Sequence, residues 1–127
     1  MPPDQDAQLL KGVLSLLLLH VLAERESYGY EVVHRLHEIG LTDIAAGTVY
    51  PALSRLERER RLTARLVVSN EGPARKYYRP TAAGYLALTA GTAQWTALVD
   101  LVSQQLDRKS TRLNSSHVRL SRMPSSA

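Results

Sequence analysis

Two strand-like runs joined by a strong turn signal lie in the second half of the chain. In residues 62–69 the apolar side chains recur at every second position, at Leu62, Ala64, Leu66 and Val68. Residues 70–74 include Asn-Glu-Gly-Pro, and residues 75–79 return with two adjacent tyrosines. Strand-like runs on both sides of such a turn predict a β-hairpin. One small β-hairpin is therefore expected in this half of the chain.

Two helical segments are predicted before the middle of the chain. The Leu-rich residues 8–23 predict a helix that is apolar on most sides and therefore buried. After a short polar break, Ser27 is predicted to cap a second helix that extends to about Ile39. Gly40 is well placed to end it.

A third helix is predicted to open at Gly47 or Thr48 and to end near Arg61. Pro51 then falls in its first turn, where a missing amide hydrogen costs little. One side of this helix is apolar and predicted to be buried; its positions are Val49, Ala52, Leu53 and Leu56. The opposite side is polar and basic, with Thr48, Tyr50, Ser54, Arg55, Arg58 and Arg61.

Thr81 is predicted to cap a last long helix that extends to about Leu106. One apolar stripe follows it, formed by Leu88, Trp95, Leu98 or Val99, Val102 and Leu106. The order helix, helix, helix, hairpin, helix predicts a winged helix-turn-helix, mainly α with a small β-hairpin, plus a long C-terminal helix. We predict a DNA-binding domain at residues 1–80, a long C-terminal helix at 81–107 and a basic, Ser-rich, disordered tail at 108–127.

The charge pattern supports this division. The formal net charge is +4 over 127 residues, but residues 108–127 hold five basic residues and no acid. Residues 1–46 carry three basic and seven acidic residues, whereas residues 47–80 carry eight basic and three acidic ones. The third helix and the hairpin thus form a basic block, which indicates an anionic partner.

Several function classes are disfavoured by composition. The chain has no cysteine, which excludes a disulfide scaffold, a thiolate zinc site and a cysteine nucleophile. His34 and His37 have no apparent third ligand, so no metal and no cofactor is predicted. Neither a Gly-rich phosphate loop nor a catalytic constellation is present, and an enzyme is not expected. The longest apolar run is too short to span a bilayer, so the expected location is the cytoplasm.

A helix whose inner face is apolar and whose outer face is polar and basic can lie in a major groove of DNA. We therefore predict DNA contacts on the outer face of the third helix. The candidates are Thr48, Tyr50, Ser54, Arg55 and Arg58, and the sequence does not say which of them touches a base. The alternative is a solvated helix face on which Glu57 pairs with Arg61. On the hairpin, Arg65, Arg75 and Lys76 are candidate phosphate contacts, or cations that protect an exposed strand edge.

Three stretches together resemble the PadR family of bacterial transcription regulators. They are Tyr-Gly-Tyr-Glu-Val at residues 28–32, Gly-Thr-Val-Tyr-Pro-Ala-Leu-Ser-Arg-Leu-Glu at 47–57, and Arg-Lys-Tyr-Tyr-Arg-Pro-Thr-Ala-Ala-Gly at 75–84. The resemblance covers residues 9–107. It implies a winged-helix homodimer that usually represses transcription from a palindromic double-stranded DNA operator. Pro80 departs from the family pattern, which more often has an aliphatic residue there, and is expected to shorten the second hairpin strand.

Tyr28 and Tyr30 stand at the start of the second helix, and a helix N-terminus favours a phosphate. Tyr30 is a candidate DNA contact, and core packing of at least one of the two tyrosines is the alternative. The resemblance also implies that residues 81–107 form a dimerisation helix, with the apolar stripe as the dimer interface. In some family members a small aromatic or drug-like compound releases the DNA, and Trp95 either stacks on such an effector or fills the dimer core.

Two alternatives stay open. A winged helix can also act as a protein-interaction module without binding DNA, although such a module needs no outward basic block. The tail at residues 108–127 is either a basic arm for DNA or a non-native end produced by a frame shift or read-through, because its composition changes abruptly after Asp107.

Overall fold

The structure, a computed structural model, describes the backbone of residues 7–113 and, within it, the side chains of residue 10 and residues 12–108. Residues 1–6 and the part of the predicted tail beyond residue 113 lie outside the described residues. The elements in chain order are α1 (Ala7–Glu24), β1 (Ser27–Tyr28), α2 (Gly29–Glu38), α3 (Ala46–Arg58), β2 (Leu62–Ser69), β3 (Gly72–Pro80) and α4 (Ala82–Leu113). The predicted fold class is confirmed: the chain is mainly helical, with a small antiparallel sheet.

The core forms where α1, α2 and α3 meet the base of the sheet. Leu18 of α1, Leu36 of α2 and Leu56 of α3 are completely buried, each stabilising the fold by about 1.5–3 kcal/mol relative to an exposed side chain. The predicted apolar stripe of α3 is buried as expected, at Val49, Ala52, Leu53 and Leu56. The remaining face of α3 is therefore free to point outward.

Strand β1 was not predicted, because two residues are too few to show a pattern. Ser27 pairs with Tyr78 of β3, and the sheet has the order β1-β3-β2. The predicted capping role of Ser27 is wrong, since its buried hydroxyl accepts a hydrogen bond from Arg35 Nη1 at 3.1 Å. Tyr28 occupies the N-cap position instead, and its amide donates to the Glu31 carboxylate at 3.4 Å.

The turn between α2 and α3 begins as predicted at Gly40, whose φ of 118° favours glycine. The Gly40 amide donates to His37 O and the Leu41 amide donates to Leu36 O, which satisfies the last carbonyls of α2. The His37 ring nitrogen Nε2 lies 2.7 Å from Ile44 O and ties the turn to the helix.

Helix α3 begins at Ala46, earlier than predicted. The prediction that Pro51 falls in the first turn is therefore wrong, and it lies in the second turn, where the Gly47 carbonyl loses its helical partner. The helix also ends before Arg61, because Arg60 adopts a left-handed φ of 64°. Its amide donates to Glu57 O and closes the helix.

The hairpin, here called the wing (residues 62–80), is confirmed, with Leu62 opposite Pro80 and Arg65 opposite Tyr77. Pro80 does not shorten the second strand, because β1 has already ended and no strand lies on that side to need its amide. Leu62 and Tyr78 are buried and define the inner face of the sheet. The outer face carries the alternate residues.

The chain divides into two compact units, Met1–Gly91 and Thr92–Ala127. Thr81 caps α4 as predicted, since its Oγ1 accepts from the Gly84 amide at 3.0 Å and donates to Arg60 O at 2.7 Å. Gly84 permits this close approach, because a Cβ there would collide with the carbonyl oxygen of Arg61. Helix α4 continues to Leu113, beyond the predicted end.

Candidate nucleic-acid interface

Three exposed residues lie along the polar side of α3. At about 100° per residue, Ser54 and Arg58 lie almost opposite the buried Val49, with Tyr50 beside them. All three side chains are exposed. Among the side chains that the structure describes, none forms an ion pair with Arg58. We call these three residues the outward face of α3. The Arg58 guanidinium, at the C-terminal end of this face, is free to donate to a base edge or a phosphate.

Arg55, also predicted to contact DNA, lies toward α1. Its Nη2 donates to Ser15 Oγ at 2.5 Å, and its Nε lies 3.7 Å from Glu59 Oε2. Thr48 is exposed on the same flank of α3. On this flank Arg55 already has partners in Ser15 and Glu59, and the Glu59 carboxylate repels phosphate.

The opposite flank of α3 faces the wing. Glu57 accepts a hydrogen bond from Lys76 Nζ at 2.8 Å, so in the described part of the chain it pairs with Lys76 rather than with Arg61. The Lys76 ammonium also lies 5.6 Å from the centre of the Tyr78 ring. The hydrogen bond to Glu57 raises the pKa of Lys76. Burial raises the pKa of Tyr78, so both side chains keep their protons at neutral pH.

A groove of about 370 Å³ separates the outward face of α3 from the wing. Four tyrosines and two cations contribute to its lining, which includes Tyr28, Tyr30, Tyr50, Tyr78, Arg75 and Lys76. Tyr30 is 66% exposed at the start of α2, so it does not pack in the core. Tyr28, the other tyrosine at this position, is half-buried.

On the outer face of the sheet, aromatic and cationic side chains alternate. The rings of Tyr28 and Tyr77 meet edge to face at 5.3 Å. The Arg75 guanidinium lies 4.5 Å from the Tyr28 ring centre, and that of Arg65 lies 5.9 Å from the centre of Tyr77. Arg65 also binds Glu26 through two hydrogen bonds, Nε to Oε2 at 2.8 Å and Nη2 to Oε1 at 2.7 Å. These bonds hold the pKa of Glu26 below its usual value.

The unit Thr92–Ala127 contains most of the predicted dimer interface. Its large apolar side chains are exposed on α4, at Trp95, Leu98, Val99, Leu101, Val102 and Leu106. Leu88 belongs to the other unit and packs, partly buried, against the core of Met1–Gly91.

Sequence reasoning missed two residues that shape this surface and the partner of a third. Glu26 holds Arg65, and Gly29 lies under the ring of Tyr50. Glu57 was considered as a partner of Arg61, but it holds Lys76. The two ion pairs join residues 19 and 39 positions apart, so no local spacing signals them. Within the described residues, no cluster of three potential metal ligands occurs and no helix is long and apolar enough to cross a membrane.

A helix-turn-helix with an exposed basic second helix and a basic hairpin beside it defines the class of winged-helix domains. A family model described as the transcriptional regulator PadR-like family matches residues 18–90. The chain belongs to this family of transcriptional regulators.

Individual relatives agree with this assignment. A Mycobacterium tuberculosis protein named transcriptional regulator Rv3488 is 37% identical over 79 residues, which cover 62% of this chain and 72% of that protein. The crystal structure of a PadR-like transcriptional regulator from Bacillus cereus is similar with a TM-score of 0.71 at 35% identity, covering 79% of this chain and 97% of that one. A PadR family regulator from Eggerthella lenta has a TM-score of 0.72 at 37% identity, covering 78% and 86%.

Proposed function

We propose that this PadR-family regulator is a cytoplasmic homodimer that represses transcription by binding a palindromic operator. The observation that carries the proposal is the outward face of α3, where Arg58 is exposed without an ion-pair partner among the described residues, beside Tyr50 and Ser54. A helix with these side chains fits a major groove, where arginine donates to guanine edges. Tyr30 and the wing approach the flanking backbone.

The dimer proposal rests on α4. Trp95, Leu98, Val99, Val102 and Leu106 recur at helical spacing, and between 37% and 59% of each side chain is exposed within its own chain. A second copy of the chain that covers this stripe would remove these apolar side chains from water. Dimerisation therefore accounts for an apolar stripe that is exposed within one chain. We assign dimerisation to residues 81–107, as predicted, and regard the basic tail as unnecessary for operator selection.

Release by a small aromatic or drug-like compound remains part of the proposal. Trp95 is 45% exposed and is the natural stacking partner for a flat ligand between two copies of α4. Such a ligand changes DNA affinity only if it binds more tightly to one separation of the two outward faces than to another.

The proposal is tested by selecting duplexes from a random-sequence pool with the full chain. We expect an inverted repeat whose half-sites are about one helical turn, 10 base pairs, or a multiple of it apart. We also expect two chains per duplex and an affinity that falls steeply with salt. Recovery of no preferred sequence by a correctly folded dimer would contradict the proposal and favour a protein-interaction module.

A further inference from the structure

The wing is joined to the helical body by two ion pairs, one on each face of the sheet. On the inner face, Lys76 Nζ lies 2.8 Å from Glu57 Oε1 of α3. On the outer face, Arg65 binds Glu26, which precedes β1, through two hydrogen bonds. Because Arg65 is opposite Tyr77 and Lys76 is opposite Leu66, the two cations project from opposite faces. Each face of the wing is therefore linked to the helical body by one ion pair.

Arg75 differs from these two cations. Its guanidinium covers the Tyr28 ring at 4.5 Å, and no carboxylate among the described side chains pairs with it. A ring attracts a cation without neutralising its charge, so Arg75 remains able to donate to an anion. It also lines the groove between α3 and the wing.

We propose that Lys76 and Arg65 are positioning residues that hold the wing in a fixed orientation to α3, and that Arg75 is the wing cation that contacts a DNA phosphate. This inference rests on the proposed function and divides the three predicted wing contacts into two roles. Specificity follows from the first role, because a fixed wing sets the distance between the major-groove contacts and the flanking phosphate.

The geometry of the two pairs supports a positioning role. Exposed ion pairs usually contribute little to stability, because two long side chains must be ordered. A guanidinium that donates two parallel hydrogen bonds to one carboxylate is an exception. The Arg65–Glu26 pair has this form. Lys76 is further ordered by the Tyr78 ring. Hydrogen bonding lowers the pKa of Glu26 and raises that of Lys76, so both pairs stay charged at neutral pH. A phosphate would have to displace a carboxylate to reach either cation.

Salt dependence separates the two roles. The probe is a fluorescein-labelled duplex that the wild-type chain has selected from a random pool, and its dissociation constant is measured across a series of salt concentrations. Arg75→Gln should lower the slope of log affinity against log salt by about 0.9 for each phosphate that the side chain no longer neutralises. Lys76→Gln and Glu57→Gln should leave the slope unchanged and weaken binding equally, by about two- to fivefold.

The matched pairs provide internal controls. Arg65→Gln and Glu26→Gln should also match each other, and Glu57→Gln combined with Lys76→Gln should be no worse than either alone. If Lys76→Gln lowers the salt slope as Arg75→Gln does, Lys76 is a phosphate contact and the proposal is overturned. Tighter binding by Glu57→Gln would overturn it too, because Glu57 would then be competing with DNA.

The positioning role of the two ion pairs can also be tested without DNA, by measuring distances between α3 and the wing. Because the chain has no cysteine, spin labels can be placed at Ser54→Cys on α3 and Glu71→Cys at the wing tip. The distribution of label distances should broaden in Glu57→Gln and Glu26→Gln and stay unchanged in Arg75→Gln. Identical distributions in all three would overturn the positioning role. If the wild-type chain selects no duplex, the proposed function and the Arg75 assignment fail, while the label distances still decide the positioning role.

Discussion

The ring of Tyr50 on α3 lies directly against Gly29, the first residue of α2. A Cβ atom at Gly29 would be 2.8 Å from Tyr50 Cε1, closer than two carbon atoms can pack. The absence of a side chain at Gly29 therefore determines where the Tyr50 ring lies. The helix that begins the helix-turn-helix and the helix proposed to read DNA are linked by this contact.

Gly29→Ala should move the Tyr50 ring and weaken operator binding about tenfold, as expected when a single side chain is withdrawn from DNA. Stability should change little, because the displaced atoms are the far end of a flexible side chain. Gly12→Ala is the matched control, since it is also a helical glycine but has no atom near the added Cβ. Fluorescence anisotropy with the selected duplex measures both variants, and equal affinities would show that Tyr50 makes no important contact.

Arg60→Gly should stabilise the fold by about 1 kcal/mol. Arg60 has a left-handed φ of 64° directly after α3, a conformation that costs a residue with a Cβ about 1–2 kcal/mol. Arg61→Gly is the control: φ is not positive at Arg61, so glycine there should be neutral or destabilising. Urea unfolding followed by circular dichroism measures the difference. A destabilised Arg60→Gly variant would show that the arginine side chain outweighs the backbone strain.

The Arg65–Glu26 pair should make the stability of the fold depend on pH under acidic conditions. Arg65 lowers the pKa of Glu26 below the usual 4.5, so the ionised carboxylate is favoured in the folded state. Its contribution is present above the unfolded pKa and is lost as the pH falls through the lowered folded value. The urea midpoints of wild type and Glu26→Gln should therefore differ at about pH 6 and converge only as the pH falls through the lowered folded pKa of Glu26. A difference that persists unchanged at low pH would contradict the ion-pair explanation.

Sequence patterns predicted the elements that have their own periodicity. The buried stripe of α3 and the strand β2 are both dictated by side chains close in sequence, and both are present in the structure. Burial in β2 follows the apolar alternation only at Leu62 and Ala64, because Leu66 and Val68 are exposed. Strand β1 was missed because Ser27 is buried by distant partners, Tyr78 across the sheet and Arg35 on α2. A local pattern shows neither.

The same distinction applies to the candidate site. Exposure of Tyr50, Ser54 and Arg58 followed from helical spacing. The engagement of Arg55 with Ser15 and of Lys76 with Glu57 did not, because each partner lies on another element. Charge counts identify a basic block, but only the packed structure shows which of its cations already have a carboxylate.

Charge placed on the apolar stripe of α4 should dissociate the proposed dimer. Leu98 and Val102 are 52% and 45% exposed within one chain, so a monomer tolerates Leu98→Asp or Val102→Asp, whereas a dimer buries the carboxylate at high cost. Gln104→Asp lies on the opposite side of the helix and should leave the dimer intact. Sedimentation velocity measures the mass of each variant and so distinguishes a monomer from a dimer. Dimeric Leu98→Asp and Val102→Asp variants would place the interface elsewhere.

The central claim is that the outward face of α3 reads DNA and that Arg58 is one of its contacts. Its most direct test compares wild type with Arg58→Gln on the selected duplex and on the same duplex with scrambled half-sites. We expect Arg58→Gln to fold normally, to bind the selected duplex about tenfold or more weakly, and to lose part of its preference over the scrambled one. Unchanged affinity together with unchanged preference would contradict the assignment of this face.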